Sequence, residues 1–130
     1  MGQTLRAAAA ALLAASLVAA TALAQKAPEV MVEATRLVET RVGTAPTGAP
    51  ITSVSLSYGV SYEDLDLASH AGAMELEKRV KNAAGAACKE LGHQYPDAAP
   101  KEAECTKVAA DKALAKVHEL EAAAAKKPAK

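Results

Sequence analysis

Residues 53–62, Ser-Val-Ser-Leu-Ser-Tyr-Gly-Val-Ser-Tyr, alternate small residues with apolar or aromatic ones without a break. This strict alternation predicts a β-strand, because successive side chains of a strand point to opposite faces of the sheet. One face of the strand is apolar and has to be buried, whereas the other face shows serines to water. Such a strand needs a neighbouring strand and a cover for its apolar face, and the flanking segments supply both.

The segment before this strand supplies its partner. β-Branched residues are frequent between 30 and 42, with an alternation too irregular to decide between one extended strand and two short ones: Val30, Val32, Thr35, Val38, Thr40 and Val42. Residues 43–50 contain two glycines and two prolines, a composition typical of a loop. We therefore interpret residues 25–50 as a leader, a first strand and a loop, and expect the two strands to form an antiparallel hairpin.

A helix is predicted after the hairpin. Ser69 can cap a helix that begins near His70, and Gly92 can close it. The apolar residues of this segment recur at helical spacing and form one core-facing stripe: Ala73, Leu76, Val80, Ala83, Ala84, Ala87 and Leu91. This helix can therefore cover the apolar face of the hairpin.

A second helix is expected from about residue 101 to 125. Pro100 suits its first helical position, where a backbone N–H is not needed. Its apolar stripe is narrower: Ala109, Ala113, Val117, Leu120 and Ala124. Residues 122–130 are a low-complexity alanine and lysine tail, which we expect to be a solvated, fraying end.

The two cysteines lie where the two helices are connected. Cys88 falls near the end of the first helix and Cys105 near the start of the second, so the two positions meet in an antiparallel helical hairpin. A bridge would close a loop of about 17 residues and stabilise the fold by roughly 3 kcal/mol. The alternatives are a thiolate metal site or a redox pair, but the long spacing fits neither motif. The sequence thus predicts an α+β fold, an N-terminal β-hairpin packed on a disulfide-linked antiparallel pair of α-helices.

Residues 1–24 are interpreted as a signal peptide. Arg6 supplies a positive start, residues 7–20 are apolar except for Ser16, and small residues precede a cleavage point between Ala24 and Gln25. The run is short and mostly alanine, so we expect cleavage and no membrane anchor afterwards. Export places the chain in an oxidising compartment, where cysteines pair.

Composition excludes several classes of function. Cleavage would leave 14 basic against 15 acidic residues, because Arg6 is the only charged residue of 1–24. A chain without a basic field, with three tyrosines and no Phe or Trp, is not expected to bind nucleic acid. The histidines at 70, 93 and 118 are scattered, and no nucleophile is placed beside an imidazole in a recognisable catalytic pattern. We expect no enzymatic activity and no cofactor.

An acidic turn follows the alternating strand. Glu63, Asp64 and Asp66 could give oxygen ligands to a hard cation such as Ca²⁺ or uranyl. Alternatively, these carboxylates accept backbone N–H groups in the turn and favour the start of the helix. No EF-hand loop surrounds them, and the structural alternative is the one we favour.

A set of motifs resembles the UrcA family of small exported bacterial proteins. The shared features are residues 60–67 (Val-Ser-Tyr-Glu-Asp-Leu-Asp-Leu), residues 48–51 (Gly-Ala-Pro-Ile), Gly72, Ala73, Leu76, Arg79, Val80, Ala83, Ala84, Cys88, Tyr95, Pro96, Cys105, Ala109 and Ala113. The resemblance covers about residues 48–117, and we assign a UrcA-like domain to residues 51–121. It implies a periplasmic protein of a Gram-negative bacterium with Cys88 paired to Cys105. It implies no enzyme activity, since the function of the family is unknown, and the uranium response in its name slightly favours cation handling.

These features together predict a non-enzymatic periplasmic protein. The leading hypothesis is a protein-interaction or envelope-stress module, in which the serine-faced strand offers an edge to an unknown protein partner or to a second copy. The alternative is a weak binder of hard cations through the acidic turn.

Overall fold

A computed structural model describes residues 26–39 and 51–127. Strand β1 spans Glu29–Glu39, strand β2 Ile51–Ser61, helix α1 His70–Gln94 and helix α2 Glu102–Lys126. The architecture is the predicted α+β fold, an antiparallel β-hairpin followed by two helices that a disulfide links. The signal peptide with its cleavage point at Ala24 and Gln25, and the glycine- and proline-rich loop, lie outside the described residues.

The hairpin has a continuous register. Glu29 pairs with Ser61 at one end and Glu39 with Ile51 at the other, and no bulge interrupts the ladder. The first predicted segment is therefore one strand and not two, at least to Glu39. The even-numbered side chains of both strands face the helices, in the pairs Val30–Val60, Val32–Tyr58, Ala34–Leu56 and Arg36–Val54.

The two strands are covered unequally. Helix α1 packs against both strands, whereas α2 packs against β1. Val32 and Ala34 of β1 are fully buried, but Tyr58 on β2 keeps 38% of its surface exposed. Val54 and Leu56 of β2 are only partly buried. The apolar row of β2 is thus left half covered by the helices.

The core between sheet and helices is small and rich in alanine. Its buried members come from all four elements: Val30, Val32, Ala34, Val60, Leu76, Val80, Ala84, Ala87, Cys88, Leu91, Cys105, Ala109, Ala110, Ala113 and Val117. Alanine removes little apolar area from water, so each of the few larger side chains contributes a large share of the burial energy. Leu76 has the largest volume among the fully buried side chains.

The start of α1 is the predicted one, but its end is not. The Ser69 hydroxyl accepts the backbone N–H of Gly72 at 3.0 Å and caps the helix. Gly92 does not close the helix, which continues to Gln94 with Tyr95 as the C-terminal cap. Gly92 instead lies next to the buried side chain of Arg36, and a Cβ at this position would be 3.4 Å from the guanidinium Nη2.

The start of α2 also differs from the prediction. Pro100 is not the first helical residue, because Lys101 is the N-terminal cap and the helix begins at Glu102. The reason lies one residue earlier, where Ala99 exchanges two backbone hydrogen bonds with Leu37 of β1. This bridge keeps Ala99 paired to β1 at the sheet edge, so the helix begins only after Pro100. At the other end α2 runs on to Lys126 through the alanines predicted as a tail, in agreement with the high helix propensity of alanine.

None of the helices within residues 26–39 and 51–127 is both long enough and apolar enough to cross a bilayer.

Candidate functional site

The disulfide forms as predicted. Cys88 and Cys105 are bonded, with their Cα atoms 5.9 Å apart at the connected end of the helix pair. Both residues are buried in the core, and the chain has no other cysteine. No thiol is therefore left for metal or redox chemistry. The bond is compatible with an exported protein, because disulfides persist in oxidising compartments.

The acidic turn is held to α1 by Arg79. The guanidinium donates two hydrogen bonds of 2.8 Å to the two carboxylate oxygens of Asp64. It also donates to Ser61 O and to Glu75 Oε1, both at 3.2 Å. One arginine side chain thus joins the end of β2, the turn and the helix.

This pairing shifts the pKa values of both partners and favours their charged forms. The hydrogen bonds from Arg79 lower the pKa of the Asp64 carboxyl below its usual value. Hydrogen bonds to Asp64 and then to Glu75 raise the pKa of Arg79. Asp64 is consequently a carboxylate with a cation already bound to both of its oxygens.

Asp66 has a structural role in the same turn. Its Oδ1 accepts the backbone N–H of Ala68 at 3.0 Å, and its carbonyl accepts the hydroxyl of Ser69 at 2.7 Å. A Cβ on Gly72 would collide with the Asp66 carbonyl, so this close approach requires glycine. These contacts are those of the favoured structural alternative.

The observed contacts do not bring together the three carboxylates that were predicted to hold a hard cation. Glu63 and Asp66 line a wide groove of about 820 Å³ together with Leu65, Leu67 and Leu120, whereas Asp64 is turned to Arg79. A cation bound by all three would have to displace the guanidinium. The hard-cation site stays a prediction.

The structure brings one histidine together with carboxylates, a grouping that the sequence did not indicate. His118 Nε2 lies 3.6 Å from Glu77 Oε1, and a donor atom of each of Glu77, His118 and Glu121 lies within 4.8 Å of the others. Imidazole and carboxylate donors are ligands that Zn²⁺ accepts. Lys81 lies 3.5 Å from the second oxygen of Glu77, so the arrangement is equally that of a surface ion-pair network.

Arg36 is a buried charge and is absent from the residues predicted from the sequence to form a site. Only 2% of its surface is exposed, and its Nη2 donates to the carbonyl of Cys88 at 2.8 Å. The alternation that starts at Val30 places residue 36 on the same face as Val32 and Ala34, so counting parity along β1 would have found it. Arg36, Lys89, Gly92, His93, Lys101 and Glu102 line an open pocket of about 410 Å³.

The outer edge of β2 is the remaining candidate surface. Tyr62 donates its N–H to Pro28 O at 3.2 Å, which extends the ladder by one pair. Because bonded pairs alternate along an antiparallel ladder, the even-numbered residues of β2 bond to β1 and the odd-numbered ones point their N–H and C=O groups away from it. Within the described ranges no strand pairs with this edge.

Comparison with known proteins gives no match. No protein-family model, no curated protein and no solved structure matches this chain. The resemblance to the UrcA family therefore remains an expectation from the motifs, and the candidate surfaces have to be judged on their own geometry.

Proposed function

We propose that this chain is a non-enzymatic protein-interaction module of the bacterial envelope, which pairs through the open edge of β2 with the same strand of a second copy. The observation that carries the proposal is that β2 is an eleven-residue, uninterrupted edge strand without a single charged residue. Main-chain hydrogen bonds along such an edge supply affinity, and the alternating side chains supply register.

An edge strand of this kind is unusual in a protein that stays alone. Sheet edges are normally protected by lysines, prolines, bulges or very short strands, because an open row of N–H and C=O groups pairs with other chains. Residues 51–61 contain neither proline nor charge, and their register has no bulge. The opposite edge of the hairpin differs, since β1 carries charged residues and Leu37 is bridged to Ala99.

The strand is also complementary to itself. An antiparallel pair centred on Leu56 places Val54 against Tyr58 of the second copy on the helix side, and Ser55 against Ser57 on the other side. Both members of the serine pair belong to the odd-numbered set whose backbone groups point outwards, so this register allows the full ladder. The half-covered apolar row of β2 would then continue across the new four-stranded sheet and bury more of its surface.

Three kinds of observation support a location in the cell envelope. The disulfide fits an oxidising compartment. Residues 1–24 have the pattern of an export signal. The resemblance to the UrcA family implies the periplasm and an unassigned, non-enzymatic role.

Replacement of Ser57 by proline tests the pairing without disturbing the hairpin. The N–H of Ser57 points away from β1, so Ser57→Pro removes a bond to the second copy and none within the hairpin, and proline is tolerated at such edge positions. Ser57→Ala is the matched control, since it removes the same hydroxyl but keeps the N–H. Sedimentation velocity over a range of protein concentrations measures the association.

The proposal expects dimers from the parent and from Ser57→Ala, and monomers with an unchanged circular dichroism spectrum from Ser57→Pro. A parent protein that stays monomeric at every concentration would contradict the proposal. A folded Ser57→Pro variant that still dimerises would show that another surface is used.

A further inference from the structure

The pocket between the end of α1, strand β1 and the start of α2 is lined mainly by basic groups. Arg36 forms its buried floor, Lys89 and His93 project from α1, and Lys101 and Glu102 lie at the start of α2. Among the described residues, Glu102 is the only acidic one in this lining. The volume, about 410 Å³, is within the range of small-molecule sites.

Arg36 has no acidic partner in the part of the chain that the structure describes. No carboxylate lies within ion-pair distance of it, and its single side-chain hydrogen bond goes to the carbonyl of Cys88. Its Nε is buried without any hydrogen-bond partner. A buried cation that is neither paired nor fully hydrogen-bonded is strongly unfavourable, so it is a position where an anion would be stabilising.

The start of α2 is a second, independent feature of the same pocket. Lys101 is the N-terminal cap and its side chain makes no capping hydrogen bond; its Nζ donates instead to Pro96 O at 3.0 Å. The first N–H groups of a helix have no partner within the helix, and they carry the positive end of its dipole. Oxyanions bind at such helix starts.

A purely structural role explains only part of this arrangement. Arg36 does tie β1 to the C-terminal part of α1, where carbonyl dipoles favour a positive charge. That role accounts for Nη2, whereas Nη1 makes no hydrogen bond to any residue that the structure describes. Gly92 leaves the guanidinium accessible, because it places no side chain over it. A Cβ at Gly92 would lie 3.5 Å from Nη1 and 3.4 Å from Nη2.

We propose that this pocket binds a small oxyanion, the carboxylate or phosphate group of a ligand, with Arg36 as the main contact. The planar guanidinium matches the geometry of both groups, and the uncapped N–H groups of α2 and the ammonium of Lys101 complete the shell. The carboxylate of Glu102, which also lines the pocket, would repel further negative charge on the ligand. The site is independent of the β2 edge.

The test is a titration of the full exported chain, followed by the ¹H–¹⁵N resonances of the backbone amides. Sodium phosphate and sodium acetate are added in separate series at constant ionic strength, with sodium chloride as the reference. The proposal expects saturable shifts at Gly92, Lys101 and Glu102 with phosphate, acetate or both, and the series that saturates identifies the group. Shifts that follow chloride in both series would overturn the proposal.

Three variants locate the site. Arg36→Met should lower the affinity at least about tenfold, because hydrogen bonds to charged groups are strong. Lys101→Met should lower it about fivefold, as expected for a more exposed charge. Lys112→Met, an exposed lysine of α2 outside the pocket lining, removes the same charge and should bind like the parent.

Unchanged affinity in both Arg36→Met and Lys101→Met would overturn the proposal. If Arg36→Met does not fold, the comparison of Lys101→Met with Lys112→Met still decides, because both lysines are exposed. Equal affinity of Lys101→Met and Lys112→Met for the anion would then overturn the proposal.

Discussion

At the scale of the residue, Arg79 is the side chain that organises the acidic turn. It pairs with both oxygens of Asp64 and accounts for the lowered pKa of that carboxyl. The same geometry explains why an Asp-x-Asp pattern in a sequence is a poor guide to a metal site. Turn carboxylates satisfy backbone and side-chain donors before any ion is needed.

The lowered pKa of Asp64 predicts a pH dependence of stability. Because the folded-state pKa lies below the unfolded value of about 3.9, the pair contributes stability above that value and loses it as the pH falls through the folded pKa. Asp64→Asn should therefore lower the free energy of unfolding near neutral pH and remove part of its decline at acidic pH. Urea unfolding of parent and variant across the acidic range measures both effects.

Asp97→Asn is the control, because it makes the same substitution in the exposed connector. Parallel stability curves for the parent and Asp64→Asn at all pH values would show that the ion pair does not form in solution.

At the scale of the element, the disulfide joins the two helices where they are connected. Removing it in a Cys88→Ala/Cys105→Ala double variant should lower the free energy of unfolding by about 3 kcal/mol, since a loop of about 17 residues is no longer closed in the unfolded chain. Denaturant titration of the parent and the double variant checks the magnitude. The same midpoint in both proteins would contradict the structural role of the bond.

The helices and strands could largely be predicted from the sequence, because they depend on residues close together in the chain. The alternation around Leu56 specifies a strand, Ser69 specifies a helix start, and the two cysteines specify how the helices meet. Where contacts distant in sequence decide, prediction failed. The predicted helix end at Gly92 is wrong, because this glycine lies against the guanidinium of Arg36 inside the helix. The predicted helix start at Pro100 is wrong, because Ala99 is bonded to β1 and α2 begins later.

The candidate sites were predicted less well than the fold. Their members come from different elements, and only tertiary packing brings them together. Arg36 lies on a strand and Lys101 at the start of a helix, yet both line one pocket. The alternation along β1 predicts that Arg36 is buried, but no local pattern predicts that it has no carboxylate partner within residues 26–39 and 51–127.

At the scale of the whole molecule, the fold depends on a few large side chains within an alanine-rich core. Leu76 is fully buried in that core, whereas Met74 on the same helix is 57% exposed. Leu76→Ala should lower the free energy of unfolding by about 2–5 kcal/mol, and Met74→Ala by far less. Thermal and denaturant unfolding measure the difference, and equal losses in the two variants would contradict the packing described.

The open edge of β2 is the feature on which the account of function depends. Hydrogen exchange at the backbone amides of Ser53, Ser55 and Ser57 reports on it directly, because these N–H groups point away from β1. We predict slow exchange of these amides at high protein concentration and fast exchange after dilution, while the amides of Val54 and Leu56 stay protected in both. Fast exchange of the three serine amides at every concentration would contradict the account.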